Sequence, residues 1–130
     1  MADRKESLYP ADWLEKGNKD LRRVEVLLAD SDTEGAGFHL QQAAEKNLKA
    51  YLISRGWKLS RIHDLPNLLN HAVDYDPDFE QFRTICERVT EYYTPERYPF
   101  LEEIPPTEDE IRKGLAKIQE MTAKIVREIQ

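Results

Sequence analysis

The residue types best suited to ligand chemistry lie together in Tyr93-Thr94-Pro95-Glu96-Arg97-Tyr98-Pro99. Two prolines four residues apart stop a helix, and each biases the residue before it toward an extended conformation, so Arg97 and the two tyrosines are expected on a stiffened loop. The Arg97 guanidinium is a planar, permanently charged fork that matches a phosphate, while Tyr93 or Tyr98 offers a face for a base or a phenolic hydrogen bond. Upstream, Gln41 and Glu45 fall in line with Phe38, Leu48 and Leu52 on an otherwise apolar helical stripe. A buried Glu45 needs a cation, for which Arg97 is the first candidate, ahead of Lys49 at i+4. Arg97 then either pins the loop to the helices or holds a ligand. His63 ends a loop beside Asp64 and shares it with Lys58 and Arg61. No catalytic residue is identified from the sequence; His63 and Arg97 are the candidates.

Other catalytic patterns are missing. The chain has no glycine-rich phosphate loop, no His-Glu-x-x-His pair and no Glu-x-x-His, so neither a metal site nor a cofactor is expected. His39 and His71 lie on helical segments and read as structural or solvent-facing. Cys86 is the single cysteine and falls on an apolar stripe, where a small buried hydrophobe is expected rather than a nucleophile. A formal net charge of −6 argues against gripping long nucleic acid with the whole surface, but leaves room for a local basic pocket. Glu102, Glu103, Glu108, Asp109 and Glu110 read as a solvated linker and an acid-rich first helical turn, with docking of a basic partner as the alternative. No run approaches the ~18 apolar residues of a membrane span, and the first residues lack a signal-peptide core, so a cytoplasmic protein without membrane contact is expected.

The elements that must position these residues are helical. With 130 residues, 34% of them charged and 40% hydrophobic, the chain has the size and composition of one helical domain over 1–130. Trp13, Leu14, Gly17, Leu21, Val24, Leu27 and Leu28 recur at three- and four-residue steps and predict a helix from Pro10 to Ala29. A second helix is expected over about Glu34 to Ser54, ended by Arg55-Gly56. Asp64 is placed to cap a short helix from Leu65 to about Tyr75. A fourth, opened by Asp76-Pro77-Asp78, carries Phe79, Phe82, Ile85, Cys86, Val89, Tyr92 and Tyr93 to the loop. Thr107 with Glu110 forms a capping-box pattern before Ile111, Leu115, Ile118, Thr122, Ile125 and Ile129. That last stripe suits either a core or an interface. No segment alternates at period two for long enough to demand a strand, which leaves an all-α, antiparallel up-and-down four-helix bundle with a short extra helix.

Four blocks, taken together, resemble the HEPN family (higher eukaryotes and prokaryotes nucleotide-binding domain). They are Trp13-Leu14-Glu15-Lys16 with Asp20-Leu21, Phe38-His39-Leu40-Gln41-Gln42-Ala43-Ala44-Glu45-Lys46-Asn47-Leu48-Lys49-Ala50, His63-Asp64-Leu65, and Tyr93-x-x-x-Arg97-Tyr98-Pro99. The resemblance covers about residues 10–129. It implies a helical bundle, usually a homodimer, often working with a small nucleotidyltransferase-fold partner in a toxin–antitoxin-like pair. It also implies that Gln41, Glu45, His63, Arg97 and Tyr98 occupy the family's recurrent polar positions.

The chain departs from the ribonucleases of that family, which resemble one another in an Arg-x4–6-His motif. Arg55 precedes His63 by seven intervening residues and Arg61 by one, and no histidine follows Arg83, Arg88 or Arg97. The resemblance is therefore to the branch with Arg-Tyr-Pro, for which binding of a nucleotide, an RNA end or a protein partner is expected. Two alternatives are a metal-independent ribonuclease using His63 with Arg97 or Arg61, and a purely structural dimeric interaction domain.

Overall fold

Helix α1 (Pro10–Ala29) starts at a proline, whose missing N–H falls where a helix has no acceptor for it. It ends with Ser31 in the left-handed region at φ 61°. The Asp32 N–H reaches back to the Leu27 carbonyl at 2.9 Å and the Ser31 N–H to Leu28 at 3.0 Å, so both exposed carbonyls find donors. The same Asp32 opens α2 (Thr33–Ser54), its carboxylate accepting the Gly35 N–H at 2.8 Å. One residue thus closes one helix and opens the next, which forces α1 and α2 into an antiparallel hairpin. At the far end of α2, Gly56 at φ 89° lets the Trp57 N–H bond the Leu52 carbonyl at 2.9 Å. This is the stop expected at Arg55-Gly56.

The computed structural model describes residues 6–93 and 105–130. Arg97 and Tyr98, with the rest of 94–104 including Glu102 and Glu103, lie outside the described residues. The described elements are all helical: α1, α2, α3 (Leu65–Tyr75), a 3-10 turn over Pro77–Phe82, α4 (Arg83–Val89), a second 3-10 turn over Thr90–Tyr92, and α5 (Glu108–Ile129). Helix α2 is the central element, in contact with α1, α3, α4 and α5. One contiguous core runs from Val24 of α1 through Leu40, Leu48 and Tyr51 of α2 to Phe79, Phe82 and Ile118. The stripe of α5 is buried within this chain at Ile111, Ile118 and Ile125. It is core. Among the described residues no helix is long and apolar enough to cross a membrane.

Two local expectations need correction. Asp64 occupies the N-cap position of α3, but its side chain makes no capping bond; the Leu65 N–H donates instead to the Thr90 hydroxyl at 3.1 Å. A hydroxyl from a distant element thus replaces the local cap and ties the start of α3 to the segment that leads to Tyr93. The expected fourth helix is not continuous. Phe79 and Phe82 are both buried, and a 3-10 turn aligns residues i and i+3 where an α-helix would splay them by about 60°. Asp76 fixes that geometry by accepting the Asp78 N–H at 3.0 Å.

Thr107 caps α5 as expected, its hydroxyl accepting the Glu110 N–H at 3.1 Å. Glu108 pairs with Arg112 at 3.1 Å and Asp109 with Lys113 at 3.0 Å. The described part of the acidic stretch is therefore a helical first turn paired with its own next turn. Cys86 is buried, and desolvation pushes its thiol up to about 12. At neutral pH it is a protonated hydrophobe rather than a nucleophile.

Candidate functional site

Gln41, Glu45 and Lys49 stand at successive i, i+4 positions of α2, one above another on a single face. All three are buried. The Gln41 amide donates to Glu45 Oε1 at 3.2 Å and the Lys49 ammonium to Glu45 Oε2 at 3.1 Å. His63 Nδ1 lies 3.1 Å from the same Oε2. The Gln41 amide also donates to the His63 backbone carbonyl at 3.2 Å, while Gln42 donates to Gln41 Oε1 at 2.7 Å. The loop before α3 is thus fastened to α2 at both the backbone and the side chain of His63. Among the described residues the cations on Glu45 are Lys49 and, when protonated, His63. The Arg97 candidate lies outside the described residues.

The carboxylate sets the chemistry of the histidine. A partner oxygen at Nδ1 selects the tautomer with its proton there, leaving Nε2 with a lone pair. The His63 side chain is 48% exposed while that of Glu45 is 7% exposed. An acceptor, or a base, is therefore held at the surface by an anion beneath it. Tyr93 covers the imidazole, ring centroids 5.6 Å apart and 15° from parallel. Phe38 stacks with Tyr93 as well, at 6.2 Å and 19°. These spacings fit offset aromatic stacking. On the other side the Lys49 ammonium lies 5.6 Å from the centroid of the Trp13 indole, which shields the buried ion pair from water and adds a cation–π contact.

The structure therefore brings together Gln41, Glu45, His63 and Tyr93 with Lys49, the second cation weighed for Glu45, and adds Trp13, Phe38 and Thr90, which sequence reasoning did not assign to the site. Arg61 and Lys58 are exposed. His71 packs against Trp57, centroids 5.8 Å apart, consistent with a structural role.

A second polar cluster lies on the α1 side of the same helix. Asp20 is 1% exposed and receives Lys46 at 2.5 Å, His39 Nδ1 at 2.8 Å and Arg23 at 3.2 Å. His39 in turn meets the edge of Phe38 at 5.4 Å. The two carboxylate–histidine pairs are thereby joined through the Phe38–Tyr93–His63 stack. Sequence reasoning did not assign Asp20 to the interior; the signal for it is its place three after Gly17 and four before Val24 on the apolar face of α1. Among the described residues no group of three His, Cys, Asp or Glu side chains is placed to hold a metal ion.

The HEPN domain sequence model matches residues 10–129. The fold is similar to that of ST0689, described as an archaeal HEPN homologue, with a TM-score of 0.76 and 24% identity over 94% of this chain and 98% of that one. It is also similar to TT1696 from Thermus thermophilus, with a TM-score of 0.75 and 30% identity over 93% of this chain and 98% of that one. No curated protein sequence matches.

Proposed function

The chain belongs to the HEPN domain family, and from that premise we propose that it is a nucleotide-binding module working beside a nucleotidyltransferase-fold partner in a toxin–antitoxin-like pair. The observation that supports this reading best is the Tyr93–His63 stack above the buried Glu45–Lys49 pair. Aromatic faces at a surface take a nucleobase, and the Nε2 of a half-exposed imidazole accepts a hydrogen bond from a base or ribose. On the sequence reading, Arg97 takes the phosphate end of that ligand and Tyr98 offers a further face for the base or a phenolic hydrogen bond. Gln41, Glu45 and Thr90 act as positioning residues, since each reaches the site through a backbone or a side chain of another residue.

The test is a titration of fluorescent adenine and guanine nucleotides against wild type, Tyr93→Ala and Arg97→Ala. Variants that retain the helical circular-dichroism spectrum should lose most of the binding. Unchanged affinity in both would remove the loop from the site. For the partner, the neighbouring reading frame and co-purification decide, and the mass of the free protein in solution checks the homodimer we assign to it. A nucleotidyl mass added to the chain on co-expression would make a loop tyrosine the partner's substrate.

The Glu45–His63 arrangement favours a second reading, a metal-independent ribonuclease in which His63 is the base and Arg97 or Arg61 stabilises the transition state. Absence of cleavage across a broad RNA panel, with and without the partner, would eliminate it.

A further inference from the structure

Helix α5 carries Lys113, Lys117, Lys124 and Arg127 at steps of four, seven and three residues, which keeps all four on one helical face. The first and last are separated by fourteen residues, a rise of about 21 Å. This line forms one wall of a groove whose other wall is α4 and the 3-10 turn before it. Two cavities lie along the groove. One, of about 240 Å³, is bordered by Thr84, Arg88, Lys113 and Lys117; the other, of about 290 Å³, by Phe82, Glu120, Lys124 and Arg127. Gln81 borders both. Five cations and one acid, Glu120, therefore line a groove on a chain whose net charge is −6.

Four carboxylates face these five cations. Lys113 meets Asp109 at 3.0 Å with both side chains 75% exposed, and Lys117 meets Glu120 at 3.2 Å. Such pairs are weak in water and readily exchanged for a stronger anion. Lys124 is held more firmly, by Asp76 at 2.9 Å and Glu128 at 2.7 Å. Arg88 and Arg127 are exposed and make no hydrogen bond or ion pair among the described residues. Lys117 and Lys124 also lie over the rings of Phe82 and Phe79, at 5.7 and 5.0 Å, so their stems are packed down along the groove.

We propose that this groove is a second binding surface that holds the phosphate backbone of a single-stranded nucleic acid along α5. A line of cations fits a repeating charge better than one isolated anion. The two cations without a hydrogen bond or ion pair among the described residues are arginines, whose forks suit phosphate, and Thr84 and Gln81 add the hydroxyl and amide donors typical of backbone contacts. An acidic peptide would need apolar anchor pockets for a stable seat, and the aromatic rings here are already covered by lysine. The groove shares no residue with the Tyr93–His63 site, so a strand on α5 is independent of mononucleotide binding there.

The experiment follows the anisotropy of a fluorescein-labelled 15-nucleotide oligouridylate as salt rises from about 50 to 200 mM, where each phosphate neutralised on a single strand contributes about −0.7 to the log–log slope. Wild type should show a slope of about −2 or steeper. Arg88→Glu with Arg127→Glu, both on exposed positions, should weaken binding at least tenfold at low salt and make the slope shallower by about 1.4. A control with the same change in net charge, Arg22→Glu with Lys58→Glu, should retain most of the affinity. Equal losses in the two double variants, or an unchanged slope in the first, would overturn the groove. Displacement of the strand by an equal charge of polyglutamate would overturn the nucleic-acid assignment. AMP titrated into the same variants reports the Tyr93 site separately and should not change.

Discussion

Replacing Glu45 and Lys49, singly and together, asks whether the buried ion pair serves the fold or the site. The two side chains are 7% and 3% exposed and 3.1 Å apart. Glu45→Met leaves the Lys49 ammonium in the core with, among the described residues, the Trp13 ring as its favourable neighbour, and leaves His63 Nδ1 without its acceptor. Removing one partner of a buried pair costs about 3–5 kcal/mol, a large share of the 5–15 kcal/mol typical of a domain. Lys49→Met should cost less, about 2 kcal/mol, since His63 can still pair with Glu45 when protonated. In the double variant both charges vanish together, and an apolar replacement of a buried pair is commonly neutral or stabilising. The Gln41 amide keeps the His63 carbonyl at 3.2 Å, and the half-exposed imidazole can turn to water. The double variant is therefore expected within about 1 kcal/mol of wild type and about 3 kcal/mol above Glu45→Met. Urea denaturation followed by circular dichroism measures all three, and nucleotide titration on the double variant completes the comparison. Restored stability with lost binding would show that the pair is kept for the site. Additive losses in the double variant would refute the account, because they would mean that the two charges do not compensate each other.

Two further outcomes test the scaffold. A Cβ at Gly17 would lie 2.3 Å from Asn47 Oδ1, and Asn47 cannot swing aside because its amide holds the buried Thr122 hydroxyl at 2.6 Å. Gly17→Ala should therefore lower stability by about 2 kcal/mol despite the roughly 1 kcal/mol that alanine gains in a helix; a more stable variant in urea would show that α1 and α2 are not so closely apposed. The Asp76 carboxyl is held below its ordinary value, first by the hydrogen bond from Lys124 and then by the Asp78 N–H. A depressed carboxyl adds stability above its unfolded value, near pH 4, and loses it as pH falls through the lower folded value. Wild type should thus exceed Asp76→Asn by about 1 kcal/mol or less at pH 7, and the two unfolding midpoints should converge as the carboxyl becomes protonated in acid; a gap that persists in acid would assign the difference to packing.

The helix boundaries were legible because their signals are local. Pro10, Gly56 and Thr107 each act within four residues of the end they set. Periodicity also placed the stripe of α5, though only the packed chain shows that it faces α2 rather than a second copy. The interruptions at 77–92 were not legible, since apolar residues three and four apart fit an α-helix and a helix with 3-10 ends equally well. Nor was the capping of α3 by Thr90, because a donor and acceptor 25 residues apart leave no trace in local spacing.

For the site, the sequence singled out Gln41 and Glu45 by the conflict between their polarity and their position, and burial of both bears out that conflict. It named Lys49 for Glu45 only behind Arg97 and did not find the other partners. Asn47 looks like an ordinary solvent-facing residue of an amphipathic helix, yet it is buried. The reason lies in the placement of α2 at the centre of the bundle. A helix surrounded on most sides has no solvent face to give its polar residues, so each must be satisfied by another element: Asn47 by Thr122, Lys46 by Asp20, and Lys49 by Glu45. The same enclosure fixes His63 and Tyr93, which α2 reaches through Glu45 and Phe38. The features that blur the amphipathic pattern of α2 are thus the ones that build the site, and a helix of purely apolar residues at those positions would pack as well while holding neither His63 nor Tyr93 in place.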